Sequence, residues 1–458
     1  MTRILISFYQ PVIGDTAENI IHFYESVSNE LEKAGNKVLL LNITPFQSGY
    51  YDGDITHKDY LIDRVREFKP ELIWTYNNQI PECIIITTDC PIIVFDADSD
   101  YLFVHKEFIK KYQERYYMAT QYPGIEQNYI NLGFSNQRIC SIHSATSVQK
   151  EYLQKAHNIS FIGSKFQYYS MPDQKLPPRM VYKILRESWN DDSCDYYAVF
   201  CKYFNLYKTE DIYYRLFDSR NYILSSVLDL GLSLYGVGWD TATDNFALST
   251  AFNPTPTYSL KHNQDLYNSS KICLSISHPQ CKGYTYPWRI YDIMASSGLL
   301  IASYSKLLEE QTRGIVSIPM YHSPFDVRDL CKKYLSEPHL CEDIIAASNE
   351  FIEKHGRWKE NFKTLESFIG IKLVNEHKGV LADEVIKNNI VTVLKLPDEV
   401  SRITPEELPQ KEYTKQKTSF AKRILHKLKG HKKMLLILAL FLLVFVEAVE
   451  VIILLLKL

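Results

Sequence analysis

Residues 271–303, KICLSISHPQCKGYTYPWRIYDIMASSGLLIAS, decide the reading of the fold. KICLSI is an apolar run of strand length, SHPQCKGYTY reads as a loop, YPWRIYDIMASSG has helical spacing, and LLIAS is a second strand run. A strand, a crossing helix and another strand within about 30 residues make a βαβ unit, which implies parallel pairing.

Working outward, the unit repeats. NISFIG (158–163), LSLYGVG (232–238) and IVSIP (315–319) are further strand runs, and the helix HNQDLYNSS leads into KICLSI. Helices follow to about Ile369, and residues 166–230 form a helix-rich aromatic insertion. Nearer the start, RILISFY (3–9) precedes TAENIIHFYESVSNELEKAG. That segment reads as a helix with Thr16 as N-cap, Ile20, Phe23, Tyr24, Val27 and Leu31 on one face, and Gly35 at its end. KVLLLNI, ELIWTY, PIIVFDA and RICSIHS (138–144) are strand runs, and DYLIDRVREF is helical. The expected fold class is α/β: two Rossmann-like domains facing a cleft, plus a C-terminal hydrophobic helix. The expected parts are 1–150, 151–370 with the insertion 166–230, a connector 371–417, and a basic and membrane segment 418–458.

The 458 residues are 46% hydrophobic and 23% charged, with a net charge of -3. Those fractions exclude wholesale disorder, and the charge argues against a dedicated nucleic-acid binder. The 9 cysteines contain no C-x-x-C pair, and their odd number does not suit a disulfide framework. MTRILISFYQP has too short an apolar run for a signal peptide.

The tail is distinctive. Residues 434–456, MLLILALFLLVFVEAVEVIILLL, are of spanning length. Their Leu, Ile, Val and Phe side chains sum to about -8 kcal/mol of insertion free energy, against about +5 to +7 for Glu447 and Glu450. Lys415, Lys417, Lys422, Arg423, Lys427, Lys429, Lys432 and Lys433 precede it, interleaved with Phe420, Ile424, Leu425 and Leu428 at helical spacing. This pattern implies membrane association through 418–456 with the preceding chain in the cytoplasm; a helix docked on protein is the bland alternative.

In an open parallel sheet, ligands bind beyond the carboxyl ends of the strands. In the second half those positions include Gly236 and Gly238, and the loop 277–286. Lys282 and Gly283 in that loop precede a helix whose N-terminal amides favour phosphate. Arg289 offers a bidentate phosphate contact, and Asp292 one turn later can accept hydrogen bonds from a ribose diol. The alternative for Arg289 and Asp292 is an exposed ion pair three residues apart.

Taken together, NISFIG, RNYILSSVLDLGLSLYGVGW, DLYNSSKICLSIS, WRIYDIMASSGLLIAS and EKHGRWKENFKTL (353–365) resemble the C-terminal half of the group 1 glycosyltransferases. They are most similar to the branch of spore maturation proteins of the CgeB type. The resemblance covers roughly 158–370, and the first 150 residues share only the architecture. It implies the GT-B fold, with a nucleotide-sugar donor on the C-terminal domain and a glycan, lipid or protein acceptor on the N-terminal one. Arg289 and Asp292 fall on the family's Arg and Glu, the latter expected at the nucleotide ribose. Gly236 and Gly238 fall on its glycine pair near the donor, and Gly298 on a small residue before the next strand. Two departures stand out: Asp292 replaces a longer Glu, and Ser275 stands where Asn is frequent. No cofactor or metal is implied, because positive charge and helix dipoles can stabilise a leaving diphosphate.

An inverting transfer needs a base for the acceptor hydroxyl. Asp96 and Asp98, at the end of PIIVFDADSD, are candidates, with His22 and His143 as alternatives; a retaining transfer needs none. DADSD also contains D-x-D, a metal signature in another glycosyltransferase fold, against which stands a solvated turn. The leading expectation is a glycosyltransferase at the cytosolic membrane face. The alternatives are a catalytically inactive GT-B scaffold and a nucleotide-sugar epimerase.

Overall fold

Apolar runs such as ILISF and LIWTY suit strands buried on both faces, and the chain uses them that way. The computed structural model describes residues 1–10, 20–48, 53–97, 103–122, 124–165, 175–190, 196–208, 212, 219–240, 246–278, 285–375 and 392–394. Its first half runs β1 (Arg3–Phe8), α1 (His22–Lys33), β2 (Lys37–Asn42), α2 (Lys58–Phe68), β3 (Leu72–Tyr76), α3 (Glu82–Thr87), β4 (Ile92–Phe95), α4 (Lys106–Lys111), β5 (Tyr116–Thr120), α5 (Glu126–Leu132) and β6 (Ile139–Ser141). The second runs β7 (His157–Ile162), α6 (Pro178–Asn190), α7 (Tyr196–Tyr207), α8 (Ser219–Ser226), β8 (Leu232–Tyr235), α9 (Phe246–Ser249), α10 (Leu260–Ser269), β9 (Ser270–Ser275), α11 (Arg289–Met294), β10 (Leu299–Ser303), α12 (Lys306–Thr312) and β11 (Met320–Tyr321). There follow α13 (Pro324–Ser336), α14 (His339–His355), α15 (Trp358–Ile369) and β12 (Thr392–Val393).

The fold is mixed α/β with two parallel sheets. Their strand orders are β12-β2-β1-β3-β4-β5-β6 and β11-β10-β9-β7-β8. Side-chain alternation along each strand feeds two cores, one on each face. Ile4, Ile6, Phe8, Leu72, Trp74 and Tyr76 lie on one side of the first sheet, and Leu5, Ile73, Ile92 and Val94 on the other. In the second sheet Ile159, Phe161, Ile272 and Leu274 face one core, and Cys273, Leu300 and Ala302 the other.

α15 follows the second sheet in sequence, yet its apolar stripe of Trp358, Phe362, Leu365 and Ile369 belongs to the first sheet's core. The Trp358 indole N–H donates to Ser26 Oγ (2.9 Å) on α1. The chain therefore passes between the sheets twice, near Thr146 and near Arg357. The two passages run side by side: Thr146 N donates to Gly356 O (2.9 Å), and Arg357 Nη1 to Val148 O (2.7 Å).

Several expectations shift. IVSIP is not a strand; Val316 and Ile318 are buried in the core, and the sheet's edge is Met320–Tyr321. β5, YYMAT, has no counterpart in the sequence reading because it carries no continuous apolar run. α1 begins at His22, with Ile21 as N-cap, and Thr16 lies outside the described residues. The hydrophobic segment 434–456 and its basic flank also lie outside them. Among the described residues no helix is long and apolar enough to cross a membrane.

Candidate functional site

The chain leaves β7 outward to β8, then returns across β7 to β9, from which β10 and β11 continue the other way. The connections after β7 and β9 thus diverge, opening a crevice at the carboxyl ends of these two strands. Backbone packs closely there. Gly163 N donates to Tyr235 O (3.0 Å), Lys165 N to Val237 O (2.8 Å), and the Trp239 indole N–H to Gly163 O (2.7 Å). Gly236 has φ +113° and Gly238 φ +90°. A Cβ on Gly236 would stand 2.6 Å from Gly163 O, so the loops after β7 and β8 meet only because this position is glycine.

Two arginines converge on the same place. Arg220, from α8, is 7% exposed and lies over the Phe161 ring, its guanidinium carbon 5.3 Å from the centroid, while Nη1 donates to Ser164 O. Arg289, the first residue of α11, lies 5.7 Å from the same centroid. Its Nη1 is buried and has no hydrogen-bond partner among the described residues. One ring therefore holds two cations through its π face, each contact worth about 0.5–2 kcal/mol. His278, after β9, is pushed down to about 3 by burial and then by the Arg220 charge, so at neutral pH it adds no positive charge.

Other polar atoms between the end of β9 and the start of α11 lack partners too. Ser275 Oγ, Ser277 Oγ, Thr285 Oγ1 and Trp288 Nε1 are buried without a hydrogen bond among the described residues. Buried polar groups are nearly always paired, and an orphan costs about 1–3 kcal/mol. With Arg289 Nη1 these are five buried N–H and O–H groups on the segment from Ser275 to Arg289, donors suited to an acceptor-rich, anionic ligand.

Asp292, also on α11, faces elsewhere. It is 6% exposed, one oxygen accepts from the Thr146 hydroxyl, and the other lies 3.2 Å from His22 Nε2. The exposed Arg289–Asp292 ion pair considered from spacing is not formed. His22 opens α1, next to the point where the first sheet reverses direction between β1 and β3. The same helix turn is bonded to the second half of the chain: His22 N donates to Tyr258 O (2.6 Å), and Glu25 Oε2 accepts from Leu260 N (2.7 Å). Phe23 meets Trp288 edge to face at 4.0 Å.

Thus the structure brings Arg289, Gly236 and Gly238 to one crevice and joins His22 to Asp292. Asp96 is not with them. It is 1% exposed and accepts from Thr120, Tyr129 and Gln121 N, and burial pushes its carboxyl up to about 7. Its enclosure removes the D-x-D reading at that carboxylate. Asp98, Lys282 and Gly283 lie outside the described residues. His143 pairs with Gln311 (3.2 Å). Among the described residues, the one cluster with metal-ligand spacing is Glu82, His105 and Glu107, two of them exposed. The sequence reading missed Arg220, Phe161 and Thr146. Arg220 was within reach, since it heads the helix before LSLYGVG.

Residues 220–367, about a third of the chain, match the model of a family described as glycosyl transferase-like. The match starts at Arg220 and includes Arg289 and Asp292. No curated protein matches the chain in sequence. Similar solved structures include Anabaena HepE in complex with UDP-glucose, at 9% identity over 80% of this chain and 100% of that one, with a TM-score of 0.48. Sucrose-phosphate synthase from Thermosynechococcus elongatus is similar at 10% identity over 79% and 99%, with a TM-score of 0.47. A glycosyltransferase from Rickettsia africae is similar at 11% identity over 80% and 98%, with a TM-score of 0.43.

Proposed function

We propose that the chain is a glycosyltransferase of the GT-B type, in the CgeB-like branch, which moves a sugar from a nucleotide-sugar donor to an acceptor hydroxyl. The observation that carries this reading is the pair of guanidinium groups, Arg220 and Arg289, on the Phe161 ring, both arginines lying in the segment that matches a glycosyl transferase-like family. When the bond from the sugar's anomeric carbon to the phosphate oxygen breaks, negative charge develops on the departing diphosphate. Fixed cations and donors in a half-buried crevice stabilise that charge without reorganising. Arg289 supplies an N–H without a partner among the described residues, Arg220 supports it electrostatically, and Gly236 and Gly238 let backbone approach the donor. Lys282 and Gly283 complete the donor side in this proposal. The arginines make a divalent metal and any cofactor unnecessary.

The acceptor is a glycan, lipid or protein at the cytosolic face of a membrane, to which residues 418–456 hold the enzyme; the basic flank and apolar run support that placement. The test is calorimetry of the full chain in detergent micelles with UDP-glucose, UDP-N-acetylglucosamine, GDP-mannose, CDP-glucose and TDP-rhamnose. One nucleotide base should be selected, and Arg289→Ala should weaken its donor about 10- to 100-fold, as expected for a charged hydrogen bond. A folded chain that binds none of the five would overturn the reading.

A further inference from the structure

We propose that His22 takes the proton of the acceptor hydroxyl, positioned by Asp292 and Thr146, and that the sugar is transferred with inversion of its anomeric configuration. This rests on the transferase reading above. Asp292 Oδ2 lies 3.2 Å from His22 Nε2, which holds the imidazole in the tautomer protonated at Nε2. Nδ1 is then the proton acceptor; it has no partner among the described residues, and the side chain is 22% exposed.

The support behind it is rigid. Thr146 Oγ1 accepts from Val148 N (3.0 Å), so its own proton is directed to Asp292 Oδ1. Thr146 N is fixed by Gly356 O where the two chain passages meet. A carboxylate buried this deeply needs donors on both oxygens, and Thr146 and His22 are those donors. Both Asp292 oxygens are thus already engaged, which on this proposal makes it the support of His22 and not the ribose ligand.

Position fits the chemistry. Asp292 and Arg289 are three apart on α11, so their Cβ atoms are about 5–6 Å from each other. Arg289 reaches the Phe161 ring and Asp292 reaches His22 from this one helix turn, so the proposal places the reacting sugar between the guanidinium and the imidazole. In the step, the acceptor oxygen bonds to the anomeric carbon while that carbon's bond to the phosphate oxygen breaks. The hydroxyl proton passes to His22 Nδ1, and the electron pair leaves on the nucleoside diphosphate. Among the described residues the charged group in contact with His22 is Asp292 from α11, and Glu25, one turn on along its own helix, is held by Leu260 N.

The experiment uses the full chain in micelles and the same five nucleotide sugars, with water as acceptor. The anomer released is read by proton NMR, and donor affinity by calorimetry. His22→Ala and His22→Gln should lower kcat about 10²- to 10⁴-fold while donor Kd stays within about threefold. Asp292→Asn should lower kcat less and move the acid limb of the kcat/KM profile. Thr146→Ser should retain what Thr146→Val loses, and melting curves identify any variant that fails to fold. The first-formed sugar should have the inverted anomer.

Retention of configuration would overturn the proposal. So would full kcat in His22→Gln, or loss of turnover in Asp98→Asn alone. A tenfold weaker donor Kd in Asp292→Asn with kcat intact would make Asp292 the ribose ligand instead. If wild type binds no donor, the transferase reading itself fails, an outcome distinct from all of these.

Discussion

Replacing Gly236 with alanine perturbs the crevice at its tightest point. Its φ of +113° is a region that side chains rarely occupy, a strain of about 1–3 kcal/mol. The new Cβ would also stand 2.6 Å from Gly163 O and 2.8 Å from its carbonyl carbon, so backbone must move. That movement loosens two bonds, Gly163 N to Tyr235 O and Trp239 Nε1 to Gly163 O, at about 0.5–1.5 kcal/mol each. Gly314→Ala supplies the control. Its φ is +78°, but nothing lies within 4 Å of the added Cβ, so it carries the conformational cost alone. The difference between the variants should be about 1–3 kcal/mol, several degrees of melting temperature at about 2–4 °C per kcal/mol. Gly236→Ala should also weaken the donor about tenfold, since displacing Gly163 disturbs its neighbours Phe161 and Arg289, whereas Gly314→Ala should leave binding unchanged. Scanning fluorimetry and calorimetry on both variants measure this. Equal melting temperatures with equal donor affinities would refute the view that the two loops meet through a glycine contact that shapes the donor site.

Three further outcomes follow from the same geometry. Burial raises the Asp96 carboxyl to about 7, so between the ordinary carboxylate range and that value the folded chain holds a proton the unfolded chain releases. Its stabilising contribution is complete below about pH 4 and lost as pH rises to about 7; Asp96→Asn should flatten that slope in melting curves and retain turnover. On the proposal that two guanidinium groups neutralise the leaving diphosphate, turnover should persist in EDTA; a strict metal requirement in a coupled release assay would contradict this. On the proposal that residues 418–456 hold the chain to a membrane, full-length chain should float with anionic vesicles while residues 1–417 should not, and added salt should weaken flotation only in part, because screening the basic flank leaves the apolar contribution intact.

How much was legible in the sequence depends on whether a signal is local. The strands were legible because a strand covered on both faces must be apolar throughout, as in Leu72–Tyr76, where all five side chains are buried. β5 escaped because its tyrosines and threonine imitate a surface segment, although Tyr116, Met118 and Ala119 are fully buried. The passage back to the first sheet escaped for another reason. α15 has an unmistakable apolar stripe, but a stripe states only that a helix packs, never on which sheet. Trp358 settles that by reaching Ser26 on α1, a contact without any mark in local spacing.

The same limit governs the site, and there it changes the chemistry assigned. Spacing presents Arg289 and Asp292 as one unit on one helix turn, and a resemblance assigns both to the donor. In the folded chain they diverge. Arg289 turns to Phe161 and Gly163, where a second cation waits on the same ring, and Asp292 turns to Thr146 and to His22 from the opposite half. Burial makes this division consequential, since a carboxylate 6% exposed is committed to whichever donors enclose it. A guanidinium and an imidazole from segments distant in sequence are thus both tied to α11, and neither Arg289 Nη1 nor His22 Nδ1 has a partner among the described residues. Charge stabilisation and proton acceptance are separate demands of the transfer proposed above, and on that proposal α11 serves both because its two polar residues reach different segments, Phe161 on β7 and the Thr146–His22 pair.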